Sequence, residues 1–244
     1  MSRFDRGFYA RALFRFLNEA GVWYCVVGDT RGYPDRISSD IDIVVPHHTL
    51  REFPEVISQF AHLHRLQLVQ VLRHEQTAMY FVLAWIDGDG KPQFLEPDVC
   101  SDYRRRGVPI LSAADLLEHS APAADGSGGW TSFPVPRPAM QFIYYLIKKI
   151  DKGQLDQRQA DYLTTCWRQD RDGCIAQLQR FWTADTVRQI ADAMDDGSWL
   201  SLQSDLCGLR RQLHRSLPFA AGARWQDAMR KVGRVFRPSG LTIA

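Results

Sequence analysis

An α+β fold is predicted for this chain: a mixed sheet with helices in the first half, followed by an all-helical second half. Three observations predict it. Within the first 110 residues, short β-branched and aromatic runs alternate with stretches of helical periodicity. A segment rich in Gly, Pro, Ser and Ala, HSAPAADGSGGWTSFPVPRP at 119–138, then interrupts the pattern. Beyond it, apolar residues recur at helical spacing, as in Met140, Ile143, Ile147 and Ile150, then Leu202, Leu206, Leu209 and Leu213, then Trp225, Met229, Val232 and Phe236.

The elements follow in order. Phe8, Ala12, Leu13, Phe16, Leu17 and Ala20 define a helix over 4–20, and Gly21 follows where a left-handed cap belongs. VWYCVVG at 22–28 predicts a strand, DTRGYPDRISS a turn-rich loop, and DIDIVVP at 40–46 a second strand. A helix over about 49–63 comes next. Three strands follow, LQLVQVL, AMYFVLAWI and QFLEPDV, the last two joined by the hairpin residues Asp87, Gly88, Asp89 and Gly90. The organisation expected is a first domain over 1–118, a linker over 119–138 and a helical domain over 139–239.

With 45% hydrophobic and 24% charged residues among 244, the chain has the material for a packed core. A net charge of +2 does not indicate a nucleic-acid partner, and no apolar run reaches the length of a membrane span. Five scattered cysteines without a C-x-x-C pair predict neither a disulfide framework nor a zinc site, and a reducing cytoplasm is expected. His62 and His64 lack partners at ligand spacing and read as ordinary structural histidines, while His47 and His48 begin a helix after Pro46. Trp182, Trp199 and Trp225 read as packing residues.

The informative feature is a pair of acids on an apolar strand. Asp40 and Asp42, at i and i+2, leave the same face of the sheet about 6.5 to 7 Å apart at Cα. Ile41, Ile43, Val44 and Val45 make the strand a buried one that presents acids at its end. Two like charges this close are costly unless a hard divalent cation offsets them. Twelve residues upstream, Gly28 closes the preceding strand, where its lack of a side chain lets backbone N–H groups approach an anion.

VVGD, ten residues, then DIDIVV resembles the signature of the nucleotidyltransferase superfamily, in which a Gly-Ser-like turn precedes an Asp-x-Asp strand. The order of elements over about the first 110 residues looks like that superfamily's minimal fold. The resemblance implies a third carboxylate on a later strand completing a Mg²⁺ site. QFLEPDVCSDY offers Glu96, Asp98 and Asp102; Asp98, at the end of the apolar run, is the expected ligand, and Glu96 on the same face is the alternative. Pro97, unable to donate to a ladder, predicts an edge or a bulge.

The resemblance also implies a nucleotide seat at Gly28, Asp29, Thr30 and Ser39, and lysines from the helical domain, Lys148, Lys149 and Lys152, directed at a triphosphate. Asp29 departs from the pattern, because serine is usual there. Arg104, Arg105 and Arg106 read equally as phosphate contacts or as a solvated turn. SSDIDIVV, LEPDVCSDYRR, IKKIDKG and the terminal RVFRPSGLTIA are similar to the N-terminal region of bacterial polysaccharide-cluster proteins that carry a thymidylate-kinase-like P-loop domain downstream. That likeness implies a truncated further domain beginning at 240–244.

The expected function is Mg²⁺-dependent transfer of an NMP from an NTP, ATP first, to an acceptor hydroxyl with release of pyrophosphate, in cell-surface polysaccharide biosynthesis. The acceptor is not specified by the sequence. The alternative is a catalytically silent nucleotide-binding or regulatory module.

Overall fold

The computed structural model describes residues 5–105, 107–123, 132–217, 229 and 232. These fall into two compact units, one of the described residues through Val135 together with 229 and 232, the other of those from Pro136 to 217.

The first unit opens with α1 (Arg6–Glu19), started by the Asp5 carboxylate accepting from the Phe8 N–H. Gly21 (φ +65°) turns the chain, with its N–H on Asn18 O and that of Val22 on Leu17 O. This paired arrangement satisfies the last helical carbonyls. β1 (Cys25–Val26) is shorter than the apolar run suggests, pairing antiparallel only with Val44 and Ile43 of β2 (Ile41–Val44). α2 (His47–His64) begins directly after Pro46, with His47 and His48 as its first residues, and ends at Arg65 in the left-handed conformation.

β3 (Gln67–Glu75) and β4 (Ala78–Ile86) form an antiparallel hairpin. The run predicted as one strand is two, β5 (Pro92–Leu95) and β6 (Pro97–Cys100), broken at Glu96 with an unbroken register against β4. Pro97 lies neither at an edge nor in a bulge. It is the first residue of β6, which sits between β2 and β4, and the ladder is served there by Ile41 donating to the Glu96 carbonyl at 2.9 Å. Among the described residues the sheet order is β1-β2-β6-β4-β3, with β5 also on β4; β2 and β6 are parallel and the other pairs antiparallel.

Alternation assigns the two faces. Ile41, Ile43, Phe81, Leu83, Leu95 and Val99 are wholly buried with Leu13, Phe14 and Leu17 of α1 and Phe53, Ile57 and Phe60 of α2. The residues between them, Asp42, Tyr80, Glu96 and Asp98, are only half-buried and therefore belong to the opposite face. Burying one face of the sheet under two helices thus leaves the other face for polar groups.

β7 (Tyr103–Arg105) and β8 (Val108–Leu111) make a small ribbon leading to α3 (Ala113–Leu117), whose start is closed by the reciprocal bonds of Ser112 and Asp115. Two short strands, β9 (Ala121–Pro122) and β10 (Pro134–Val135), pair antiparallel. These two strands of the Gly/Pro-rich stretch belong to the first unit, whereas its last residues, 136–138, belong to the second. Phe133, 2% exposed, packs on Phe14 at 4.7 Å between ring centroids, a contact that average composition conceals.

The second unit is helical: α4 (Pro138–Lys152), α5 (Gln157–Gln169), α6 (Arg171–Leu178), α7 (Ala184–Asp196), α8 (Trp199–Ser204) and α9 (Leu206–Ser216). Met140, Ile143, Ile147 and Ile150 of α4 and Leu202, Leu206, Leu209 and Leu213 are buried as their spacing requires. Trp182 is buried with its Nε1 donating to Leu209 O, and Trp199 Nε1 donates to Gln157. Trp225, Phe236 and the expected domain start at 240–244 lie outside the described residues. The five cysteines are free thiols. Among the described residues no helix is long and apolar enough to cross a membrane.

Candidate metal and nucleotide site

Three carboxylates meet on the polar face of the sheet in the first unit. Asp98 is the Cα partner of Asp42 in the parallel β2–β6 pair, so the two side chains stand next to one another across a spacing of about 4.8 Å. Asp40 immediately precedes β2. One oxygen from each of Asp40, Asp42 and Asp98 lies within 4.8 Å of the others, and all three residues are half-buried. The donor set contains only carboxylate oxygen, with no imidazole or thiolate, which fits a hard cation such as Mg²⁺ rather than zinc.

Gly28 borders this group. Its φ of +94° is the left-handed region, and a β-carbon added there would lie 3.4 Å from Asp42 Oδ2. The Val27 N–H donates to Asp42 O at 3.0 Å, which ties the turn to the acid strand. Asp29 accepts both Nε and Nη2 of Arg31 at 2.8 Å in a fork. Thr30, half-buried, accepts the Tyr33 N–H through its carbonyl, and exposed Ser39 donates its Oγ to the Asp40 carbonyl at 3.3 Å.

The other acids have different work. Glu96 is bound by Arg6 at 2.6 Å. Asp102 caps the start of α3, with Oδ1 accepting the Ala113 N–H and Oδ2 bonded to Arg104, both at 3.1 Å. Arg104 also donates to the Gly107 carbonyl. Arg106 lies outside the described residues. Lys148, Lys149 and Lys152 are on α4 in the second unit, where the first two lie over the rings of Tyr144 and Tyr145 at 5.7 and 4.6 Å.

Two tyrosines beside the acids escaped the sequence reading. Tyr33 donates to the Asp40 carbonyl at 3.3 Å, and burial, then the charges of Asp42 and Asp40, push its phenol up to about 12. Tyr80 is opposite Asp98 in the β4–β6 register. Burial first, then the charge of Glu96 and a hydrogen bond to it, then Asp40 and Asp98, push Tyr80 up to about 12 as well. Both phenols stay protonated at neutral pH and add donors without adding negative charge. Only the pairing of β4 with β6 identifies Tyr80; alternation along β4 shows its face but not its partner.

No family model matches the sequence, and no curated protein matches it. Among solved structures, the antibiotic-resistance factor ANT(2'')-Ia, known from a solution structure, is similar over 81% of this chain and 95% of its own length, at 12% identity and a TM-score of 0.42. So loose a likeness decides neither activity nor substrate.

Proposed function

We propose that this chain is a Mg²⁺-dependent nucleotidyltransferase, moving an NMP from an NTP to an acceptor hydroxyl with release of pyrophosphate. The observation that supports it most is the convergence of Asp40, Asp42 and Asp98 on one point beside a left-handed glycine turn. Metal ions held by such a set would stabilise the attacking and leaving oxygens of an in-line displacement. The protein's own part is positional. Asp40 and Asp42 would hold the metal, and Asp98 would complete the ligand set and take up the proton of the acceptor hydroxyl. The turn at Gly28 seats the phosphates, and Asp29, Thr30 and Ser39 are retained as proposed members of that loop on the sequence resemblance alone. Lys148, Lys149 and Lys152 are retained as proposed triphosphate ligands on the sequence resemblance alone. The same resemblance is the basis for proposing ATP as donor and cell-surface polysaccharide assembly as the setting.

The alternative from another class is a catalytically silent nucleotide-binding or regulatory module, favoured by a carboxylate, Asp29, where a phosphate-binding hydroxyl is usual. Thermal stability measured with Mg²⁺ alone, each NTP alone, and both together tests nucleotide binding, because a ligand that binds the folded state raises its stability. Stabilisation by the pair beyond either component is expected. No shift with any of the four NTPs would remove the catalytic reading. Pyrophosphate release in the presence of candidate hydroxyl acceptors then separates the transferase from the silent module.

A further inference from the structure

Asp29 poses an electrostatic problem for the site just described. It directly follows Gly28, whose missing β-carbon would lie 3.4 Å from Asp42 Oδ2. Successive Cα atoms are about 3.8 Å apart. An isolated carboxylate at that point would repel a polyphosphate already facing three other acids. Yet Asp29 is not isolated: its two oxygens take Nε and Nη2 of Arg31 at 2.8 Å each, and Oδ1 also takes the Arg31 backbone N–H at 3.2 Å. The exposures decide which member of the pair a ligand meets. The Asp29 side chain is 11% exposed and that of Arg31 38%, so the acid is turned inward and the guanidinium outward.

The loop that carries the pair is held at both ends. Tyr33 donates its N–H to Thr30 O at 3.0 Å and Arg36 to Gly32 O at 2.8 Å, while the Tyr33 hydroxyl reaches the Asp40 carbonyl. A guanidinium carries its N–H donors in one plane, and the fork to Asp29 fixes the direction of that plane. A pre-oriented guanidinium suits phosphate oxygens better than a flexible ammonium, because little side-chain freedom is left to lose.

We propose that Arg31 is the phosphate-binding cation of this site, replacing the usual hydroxyl, and that Asp29 is its positioning residue. This rests on the nucleotide-binding reading of the Asp40, Asp42 and Asp98 cluster. The group recognised is the polyphosphate rather than the base, so inorganic tripolyphosphate with Mg²⁺ competes with Mg·ATP.

Calorimetric titration of the full chain with Mg·ATP, and separately with Mg·tripolyphosphate, tests it, with the melting temperature of each variant read alongside. Arg31→Gln is expected to weaken both ligands about 10- to 100-fold, the loss of charge-assisted hydrogen bonds. Arg31→Lys should fall between. The double variant Asp29→Ser with Arg31→Gln should bind more tightly than Arg31→Gln alone, because one negative charge beside the polyphosphate is gone. Arg11→Gln, which removes the exposed Arg11–Asp35 pair of the same loop, should bind as the wild type does. A folded Arg31→Gln with wild-type affinity, or a double variant no tighter than the single, overturns the role of Arg31 while leaving the metal site standing. A wild-type chain that binds neither ligand overturns the nucleotide reading itself and this inference with it.

Discussion

At the scale of single residues, the acids of LEPDVCSD divide the work by position. Asp98 sits beside Asp42 in the sheet, whereas Asp102, four residues on, is tied to Ala113 N and Arg104. Asparagine keeps the shape of aspartate but not the charge a hard cation needs. Asp98→Asn is therefore expected to abolish Mg²⁺-dependent stabilisation by NTP with little loss of fold. Asp102→Asn should leave that stabilisation intact and cost about 1 kcal/mol of stability through its weakened cap and ion pair. Thermal melts of both variants with and without Mg²⁺ and NTP check this, and the opposite pattern would move the site to Asp102. Gly28 gives a second expectation. Alanine there would strain a backbone at φ +94° and press a methyl toward Asp42 Oδ2. Gly28→Ala should cost about 1 to 2 kcal/mol and lower Mg²⁺ affinity as well; denaturant unfolding and metal titration read the two effects separately.

At the scale of elements, what the sequence made legible is what periodicity encodes. The apolar spacing of α1 and α4 marked their buried faces directly, whereas AMYFVLAWI is apolar almost throughout, so the alternating burial of β4 follows from its place in the sheet and not from its letters. Asp40, Asp42 and Asp98 were legible because carboxylates stand out on otherwise apolar strands. The break at Glu96 was not, since Leu95 and Pro97 are both buried and a run of letters does not show which neighbour a backbone group finds. The Arg6–Glu96 pair and the Asp29–Arg31 fork depend on side-chain direction, and the first joins residues ninety positions apart. Tertiary ties also escaped in the helical half. Trp167 of α5 and Arg171 of α6 both donate to Asp195 of α7, at 2.7 and 2.8 Å. The Arg171 bond first, then that of Trp167, hold the Asp195 carboxyl below the usual carboxylate range. A folded-state value below the unfolded one means stability that is present above about pH 3.9 and lost as pH falls through the folded value. Melting temperature should thus fall more steeply on acidification below that pH in the wild type than in Asp195→Asn. Parallel slopes in the two would show that the three-helix tie carries no linked stability.

At the scale of the whole molecule, a net charge of only +2 conceals how unevenly the acids are held. Glu96 is bound to Arg6 and Asp29 to Arg31, and Asp40, Asp42 and Asp98 are gathered with ligand oxygens within 4.8 Å of one another. The buried face of the sheet fixes them there: Ile41, Ile43 and Val99 anchor the core, so Asp42 and Asp98 cannot swing apart without moving the strands. Repulsion among the three is then a cost of the metal-free fold, and a divalent cation removes it. Asp42→Asn should accordingly raise the stability of the chain in EDTA by on the order of 1 kcal/mol, after allowance for solvent screening. The same change should erase the gain that Mg²⁺ gives the wild type. Added monovalent salt should narrow the difference between the two proteins in EDTA, because ions screen the like charges of the wild type more than those of the variant. Chemical unfolding of both proteins in EDTA, in Mg²⁺ and at two salt concentrations gives all three comparisons. If Asp42→Asn is the less stable protein in EDTA, and Mg²⁺ adds nothing to the wild type, the three carboxylates are held apart by other contacts and do not constitute a metal site.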